Sequence, residues 1–471
     1  MSEKSGESRH SPLGLILLIS SVTLLVCVGM SMLYSTTAPV FGNRYLINQT
    51  IFLGIGIAVA FFLRHYDYRV LCRHAKWLAL AVSIVLAYLA FANFLAKGLH
   101  QPGLAHKLPL VHEIKGAYRW IDLKVCSIQP SEFAKLALVL VLAEYFHRHA
   151  KFMDECSCGK YGFFHDYQHN LIWASIKRFF TKRQATTSIG GHQATLMPGF
   201  LAPSIIVGII CMLIVAGGSL SVTLMTGLTV IAVFFVAGVR LRYFFWIGLV
   251  GVTFVGGLLM ISQNRLNRVL FFTNPEAHQQ DNGYQLWHSL LAIGSGGPTG
   301  LGFTESRMKI DYLPECHTDF IIAITAEELG FVAIAGIIAC YFVLVLAALI
   351  IGARSRDFRG QLLCVGLGAG ICCHALLNLA FVSGSMPTTG VTVPLISYGG
   401  SSLIATFIAI GLLLSVDRQS ALARKEEEEP AKDNNTMTRS IPVQKELLAT
   451  SSGRIPVLPK PDADKIERLK G

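Results

Sequence analysis

Charge is what this chain has least of: only 15% of its 471 residues are Asp, Glu, Lys or Arg, against about a quarter in soluble domains. That deficit excludes an ordinary water-soluble globule. No basic stripe interleaved with aromatics occurs, so the reading excludes nucleic acid as a partner. The glycine-rich stretch "AIGSGGPTGLGF" (292–303) is not followed by G-K-[ST], which excludes a P-loop and leaves a tight re-entrant turn as its meaning. The eleven cysteines are scattered, mostly in apolar runs, where a free thiol behaves as a small hydrophobe. They form no disulfide framework; Cys126 and Cys316 share only an expected side. Cys156 and Cys158 share a loop with His147, His149, His165 and His169, but C-x-C is not the C-x₂₋₄-C spacing usual for zinc. The apolar stretch from about Leu13 to Leu33 lacks an A-x-A cleavage site and exceeds the roughly 7–15 residues of a signal-peptide core. It reads as a first membrane span.

What the chain does have is apolar length. Hydrophobic residues make up 52% of it. Runs of spanning character lie near 13–33, 46–63, 77–95, 131–146, 203–218, 220–239, 243–261, 320–351, 363–383 and 401–416. A span needs about 20 residues, so the fold expected is an all-α polytopic membrane protein of about ten transmembrane helices. The large loop 262–319 separates helices 7 and 8. The loops 64–76 (Arg64, Arg69, Arg73, Lys76), 240–242 (Arg240, Arg242) and 352–362 (Arg354, Arg356, Arg359) fall on one side, whereas 384–400 has no Lys or Arg. The positive-inside rule then places both termini in the cytoplasm. Residues 1–12 form a short N-terminus, 13–417 the membrane domain and 147–200 a long basic inner loop. From 418 to 471 the composition, with "RKEEEEP" at 424–430, is that of a disordered tail. No internal repeat is visible.

Two outer loops carry basic residues against the rule: Lys97, Lys107, Lys115, Arg119 and Lys124 in 96–130, and Arg265, Arg268, Arg307 and Lys309 in 262–319. They point either to an anionic ligand or to local ion pairs with Glu113, Asp122, Glu276 and Glu305. Acidic residues concentrate where the second loop enters the eighth run. Asp319 follows Thr318, a candidate N-cap, and would sit in a first helical turn that favours its anion. Glu327 and Glu328 come two turns deeper, where a charge needs a cavity or a cation. Pro130 suits the first turn of the fourth span. Glu132 and Lys135 follow on one face at i,i+3, either neutralising each other or marking a cavity wall. The loop "PTTGVTVPLISYGGSSL" (387–403) is punctuated with Pro and Gly in the manner of an ordered cap.

Four segments, "GAYRWIDLKVCSIQPSEFAKLAL", "GYQLWHSLLAIGSGGPTGLGF", "YLPECHTDFIIAITAEELGF" and "PTTGVTVPLISYGGSSL", together resemble the SEDS family of cell-wall proteins, the FtsW/RodA group. The likeness extends from about Leu13 to Asp417 and leans toward the division branch, FtsW, over the elongation branch, RodA. It implies a ten-helix peptidoglycan glycosyltransferase of the bacterial inner membrane. Such an enzyme polymerises lipid II into β-1,4 glycan strands on the outer face, at the division septum. The resemblance carries the essential aspartate onto Asp319 and important basic positions onto Arg119 and Lys135. Arg307 and Lys309 join them as candidate diphosphate ligands, and Glu132, His317, Glu328, Ser397 and Tyr398 complete the expected substrate site. Glu327 and Glu328 are expected to orient Lys135 or line the cavity. A divalent cation, Mg or Mn, is a candidate to share the diphosphate, although no residue pattern marks a metal site. The implied partners are a class B penicillin-binding protein transpeptidase and other divisome proteins. Two departures stand out: Ser219 in "GSLS" replaces the family's aspartate, and Ala326 replaces glycine in "AEELG". A lipid II flippase, a RodA-like elongation polymerase and an inactive scaffold remain open alternatives.

Overall fold

Apolar runs of this length can satisfy their peptide groups away from water only by coiling into helices or closing into barrels, and here they coil. The computed structural model describes residues 12–99, 108–114, 117–122, 127–149, 197–239, 241–261, 272, 276–278, 283–310, 312–387 and 390–439. Within them lie eleven α-helices: α1 (Leu13–Phe41), α2 (Arg44–His65), α3 (Tyr68–Asn93), α4 (Pro130–Arg148), α5 (Ala202–Ala216), α6 (Leu220–Val236), α7 (Leu241–Ile261), α8 (Tyr284–Gly296), α9 (Ile321–Arg354), α10 (Phe358–Val382) and α11 (Gly400–Arg439). Ten coincide with the ten apolar runs; the addition is α8, inside the long loop 262–319. Seven of the helices are long and apolar enough to cross a membrane, and α6 and part of α7 are shorter apolar helices. α4 meets the length but carries Glu132, Lys135, Glu144 and Arg148. The protein is a polytopic helical membrane protein. α10 is buried along most of its length, between α9, α6 and α4. α7 turns Phe245, Trp246, Val250 and Val252 outward, the composition of a lipid-facing side.

The loop 96–130, read from sequence only as basic, contains a three-stranded antiparallel sheet of β1 (Val111–Ile114), β2 (Ala117–Asp122) and β3 (Ser127–Ile128), in that order. Asn93, at the end of α3, donates to Tyr118 O (2.8 Å) and Gly217 O (3.2 Å) and accepts from Tyr118 N (3.2 Å). Tyr118 itself is buried against Leu89 and Ala92 of α3. β3 is tied in turn to the start of α11, since Ser401 Oγ donates to Ser127 O (3.0 Å) and accepts from Gln129 N (3.2 Å).

α9 is broken. Gly330 has φ 75° and ψ −177° inside it, so the helical bonds from residues 331 and 332 back to 327 and 328 are absent. The glycine-rich segment after α8 replaces them one for one. Phe331 N donates to Gly297 O (2.9 Å) and Val332 N to Pro298 O (3.2 Å), while Leu301 N donates to Glu327 O (2.9 Å) and Gly302 N to Glu328 O (3.0 Å). The approach is too close for side chains: a Cβ on Gly300 would lie 2.1 Å from Glu328 O, and one on Gly330 2.4 Å from Gly300 N. The expected re-entrant turn is therefore a backbone splice that fills a helix break.

On the opposite side, Asp357 caps α10 by accepting from Arg359 N (3.2 Å). It also pairs with Arg69 (3.3 Å), Arg359 (3.1 Å) and His147 (3.4 Å), and Glu144 pairs with Arg148 (2.6 Å) and Arg359 (3.4 Å). The ends of α3, α4 and α10 are clasped there. By compactness the chain divides at Ser420 and Ala421. Beyond Asp417, where composition suggests disorder, residues 418–439 are helical, in keeping with their Ala, Arg, Lys and Glu content. The loop from 150 to 196, with the candidate zinc residues Cys156, Cys158, His165 and His169, lies outside the described residues. So do Lys107, Lys115, Lys124, Cys126, Arg240, Arg265, Arg268 and 440–471.

Candidate active site

Asp319 is placed by its backbone. The sequence puts it in a first helical turn behind a Thr318 cap, but α9 begins at Ile321 with Phe320 at the cap position. Thr318 instead donates to Glu315 Oε2 (2.8 Å), closing a turn in which Glu315 takes a left-handed φ of 61°. Asp319 stands in that turn, half-buried, just ahead of the helix. Its carbonyl accepts from Asn378 Nδ2 (2.9 Å), and the same amide donates to Val391 O. Gly390, with φ 60°, brings its backbone so near that a Cβ there would lie 3.2 Å from Asp319 Oδ2. Asn378 thus staples the Asp319 turn to the 390–399 loop, a role sequence reading missed; the signal was an amide inside an apolar span. Cys316 is close in sequence, but burial pushes its thiol up to about 11, so no thiolate competes with Asp319 at neutral pH.

One helical turn inward on α10, about 6 Å along the axis, His374 meets the fourth span. Lys135 Nζ lies 2.9 Å from Glu132 Oε2 and 3.3 Å from His374 Nδ1. The i,i+3 pair expected from sequence is present, and His374 is its unforeseen third member. The three side chains line a cavity of about 50 Å³, with Thr229, Thr406 and Pro394 among the other walls. Lys135 therefore does mark a cavity.

Glu327 and Glu328 do other work than expected. Neither orients Lys135, which Glu132 and His374 hold. Glu328 accepts from Ser35 Oγ (2.6 Å), Lys309 Nζ (2.8 Å) and Thr304 N (3.1 Å). Glu327 accepts from Ser306 Oγ (2.5 Å) and Arg307 N (3.0 Å). The two carboxylates anchor the 304–309 turn beside the break in α9. Lys309 also donates to Ser35 Oγ (3.0 Å) and Thr304 O (2.6 Å), so all three ammonium N–H bonds are used. Its side chain is 3% exposed, which corrects its expected place among the diphosphate ligands. Glu328, 0% exposed, is likewise withdrawn from substrate. The reason is local: the splice pulls the turn inward at 309, whereas Arg307, two residues earlier, is exposed.

His317 and Tyr398 are brought together, since Tyr398 N donates to His317 O (3.0 Å). Ser397 is buried; its hydroxyl accepts from Val393 N (2.7 Å) and its carbonyl from Gln49 Nε2 (3.2 Å), a support for the loop. Tyr341 Oη donates to Pro394 O, which ties the described part of the expected cap to α9. Arg119 lies half-buried on β2. Ser219 sits buried at the cap of α6. Among the described residues, no three His, Cys, Asp or Glu side chains gather in a metal cage.

The family model for the FtsW, RodA and SpoVE cell cycle proteins matches residues 9–422. The chain belongs to this family. It is 30% identical over 410 residues to a probable peptidoglycan glycosyltransferase FtsW of Geobacter sulfurreducens, covering 85% of this chain and 94% of the relative. To stage V sporulation protein E of Bacillus subtilis it is 33% identical over 411 residues, covering 86% and 97%. Among solved structures, a chain of a peptidoglycan synthase complex, described for its coordination of polymerization and crosslinking, superposes with a TM-score of 0.62 at 25% identity, covering 86% of this chain and 97% of that one. The FtsW/RodA/SpoVE membrane fold thus extends over nearly all of the compact unit that ends at Ser420.

Proposed function

We propose that this protein is a peptidoglycan glycosyltransferase that polymerises lipid II at the outer membrane face. The observation that carries the reading is Asp319. In a member of a family whose relatives bear that name, it is a half-buried residue whose backbone carbonyl is held by Asn378 and whose carboxylate lies beside the backbone of Gly390, at the mouth of the outer cap. Below it, Glu132, Lys135 and His374 supply a polar cavity.

Asp319 acts as base on the 4-hydroxyl of the acceptor sugar. As that oxygen bonds to the donor's anomeric carbon, the carbon–phosphate oxygen bond breaks and the diphosphate leaves with the electron pair. The proton passes to the carboxylate. Direct displacement turns an α-linked donor into a β-1,4 product. The diphosphate departs as an anion, so no second carboxylate is needed as acid. Arg119, Lys135 and the exposed Arg307 are the cations assigned to it. A divalent cation, Mg or Mn, would be held at this site by the carboxylate of Asp319, and would neutralise leaving-group charge. Septal location, cytoplasmic termini and a class B penicillin-binding protein partner belong to the same proposal; the synthase-complex likeness supports the partner.

The test incubates the purified chain, with its transpeptidase partner, with labelled lipid II and resolves the products on a gel. Wild type should give a glycan ladder, and Asp319→Ala, folded to the same melting temperature, should give none. A normal ladder from Asp319→Ala would remove Asp319 as the base.

A further inference from the structure

Four aromatic rings from three separate segments meet beside the Asp319 turn. Tyr45, at the start of α2, is the hub: its ring centroid lies 5.1 Å from Phe41, 4.8 Å from His317 and 4.9 Å from Tyr398. His317 also reaches Phe41 (5.9 Å) and Tyr398 (6.1 Å). Core packing does not account for the group, because Phe41 is exposed and the other three are half-buried. Nor does an ordinary membrane-interface belt, whose rings stand singly toward lipid; these turn edge-to-face toward one another at interplanar angles of 52–84°.

The backbone under Tyr398 is fixed on both sides. Gln49 Nε2 donates to Ser397 O, Gly399 N donates to Gln49 Oε1 (3.3 Å), and Tyr398 N donates to His317 O. One buried amide thus fixes the backbone on both sides of Tyr398, and the tyrosine side chain has only two torsions to lose when a ligand stacks on it. Among the described residues neither the Tyr45 nor the Tyr398 hydroxyl has a hydrogen-bond partner. His317 is two residues from Asp319, so the patch and the carboxylate share one loop.

We propose that Phe41, Tyr45, His317 and Tyr398 form a saccharide subsite, a platform on which one pyranose of the substrate stacks while the two tyrosine hydroxyls bond its hydroxyls. Pyranose C–H faces are weakly positive and complement the negative face of an aromatic ring. This inference rests on the reading of the substrate as a lipid-linked saccharide. Its position beside Asp319 makes the rings positioning residues for the sugar whose hydroxyl or anomeric carbon reacts there.

The experiment uses the full chain in nanodiscs in an Asp319→Asn background, which stops turnover. Binding of two probes is measured: lipid II, and the same polyprenyl diphosphate without its sugars. Tyr45→Leu and Tyr398→Leu should each weaken lipid II about tenfold and leave the sugar-free probe unchanged. Tyr45→Phe and Tyr398→Phe, which keep the ring, should fold as wild type and each weaken lipid II about threefold. Equal weakening of both probes by the Leu variants would make the cluster a lipid or interface anchor and overturn the subsite. No change with lipid II would overturn it too. If the Leu variants do not fold, Phe variants that match wild type with lipid II would overturn the hydroxyl contacts. Failure of the Asp319→Asn parent to bind either probe would instead bring down the substrate reading itself.

Discussion

At the level of single residues, Arg307 and Lys309 show where side-chain identity stops being informative. Both are basic, two positions apart in one outer loop, and both suit a diphosphate. The structure separates them: Arg307 is exposed, whereas Lys309 is locked on Glu328 at 2.8 Å with almost no exposure. Direction within an irregular loop is set by what docks against it, and here that is a helix break more than fifteen residues downstream. Truncating one partner of a buried pair strands the other charge, at a cost of about 3–5 kcal/mol. Lys309→Met should therefore lower the melting temperature sharply, and Lys309→Met with Glu328→Leu should recover part of the loss because no ion is left stranded. Arg307→Met should melt as wild type but raise the apparent KM for lipid II. Thermal unfolding in nanodiscs separates the cases; an unchanged melting temperature for Lys309→Met would mean the pair does not hold the turn.

Among the elements, α9 shows both the reach and the limit of sequence. Its apolar length and its carboxylates were legible, as were all ten apolar helices, because length and hydropathy are properties of one segment. The break at Gly330 was not, since the helical pattern runs through it without interruption and its partner bonds come from 297–302. The Asn378 staple was hidden for the same reason, since it joins distant segments; the short sheet in the 96–130 loop pairs near neighbours, Val111 with Ile121 and Ile121 with Ile128, in strands too short to show an alternating pattern. Gly330→Ala is expected to cost more than about 3 kcal/mol, because a Cβ would meet Gly300 N at 2.4 Å in a left-handed conformation. It should also abolish the glycan ladder without touching any residue assigned to substrate. Gly336→Ala is the control: a Cβ there meets nothing within 4 Å, and Ala favours an exposed helix position by up to about 1 kcal/mol. Equal stability of the two variants would show that the splice is not required.

Across the whole molecule, the question is which face carries Asp319. α8 has 13 residues, about 20 Å of helix, too short for a hydrocarbon core of about 30 Å. It does not alter the parity of the ten crossings expected from the apolar runs, which would put both termini on one side. The arginines that orient the chain include Arg69 and Arg359, which pair with Asp357 and Glu144, and Arg354 and Arg356 at the junction of α9 and α10. The proposed orientation keeps that basic end cytoplasmic, as the positive-inside rule expects, and the segment 304–319, at the other end of α9, would then face out. Cysteines introduced at Arg356 and Glu305 should label oppositely with a membrane-impermeant maleimide, after subtraction of the parent's background. Glu305→Cys should react in intact cells and Arg356→Cys only in inverted vesicles. The reverse pattern would put Asp319 on the cytoplasmic side, where an outer-face polymerase could not use it, and would move the balance toward a transporter that loads lipid II from within.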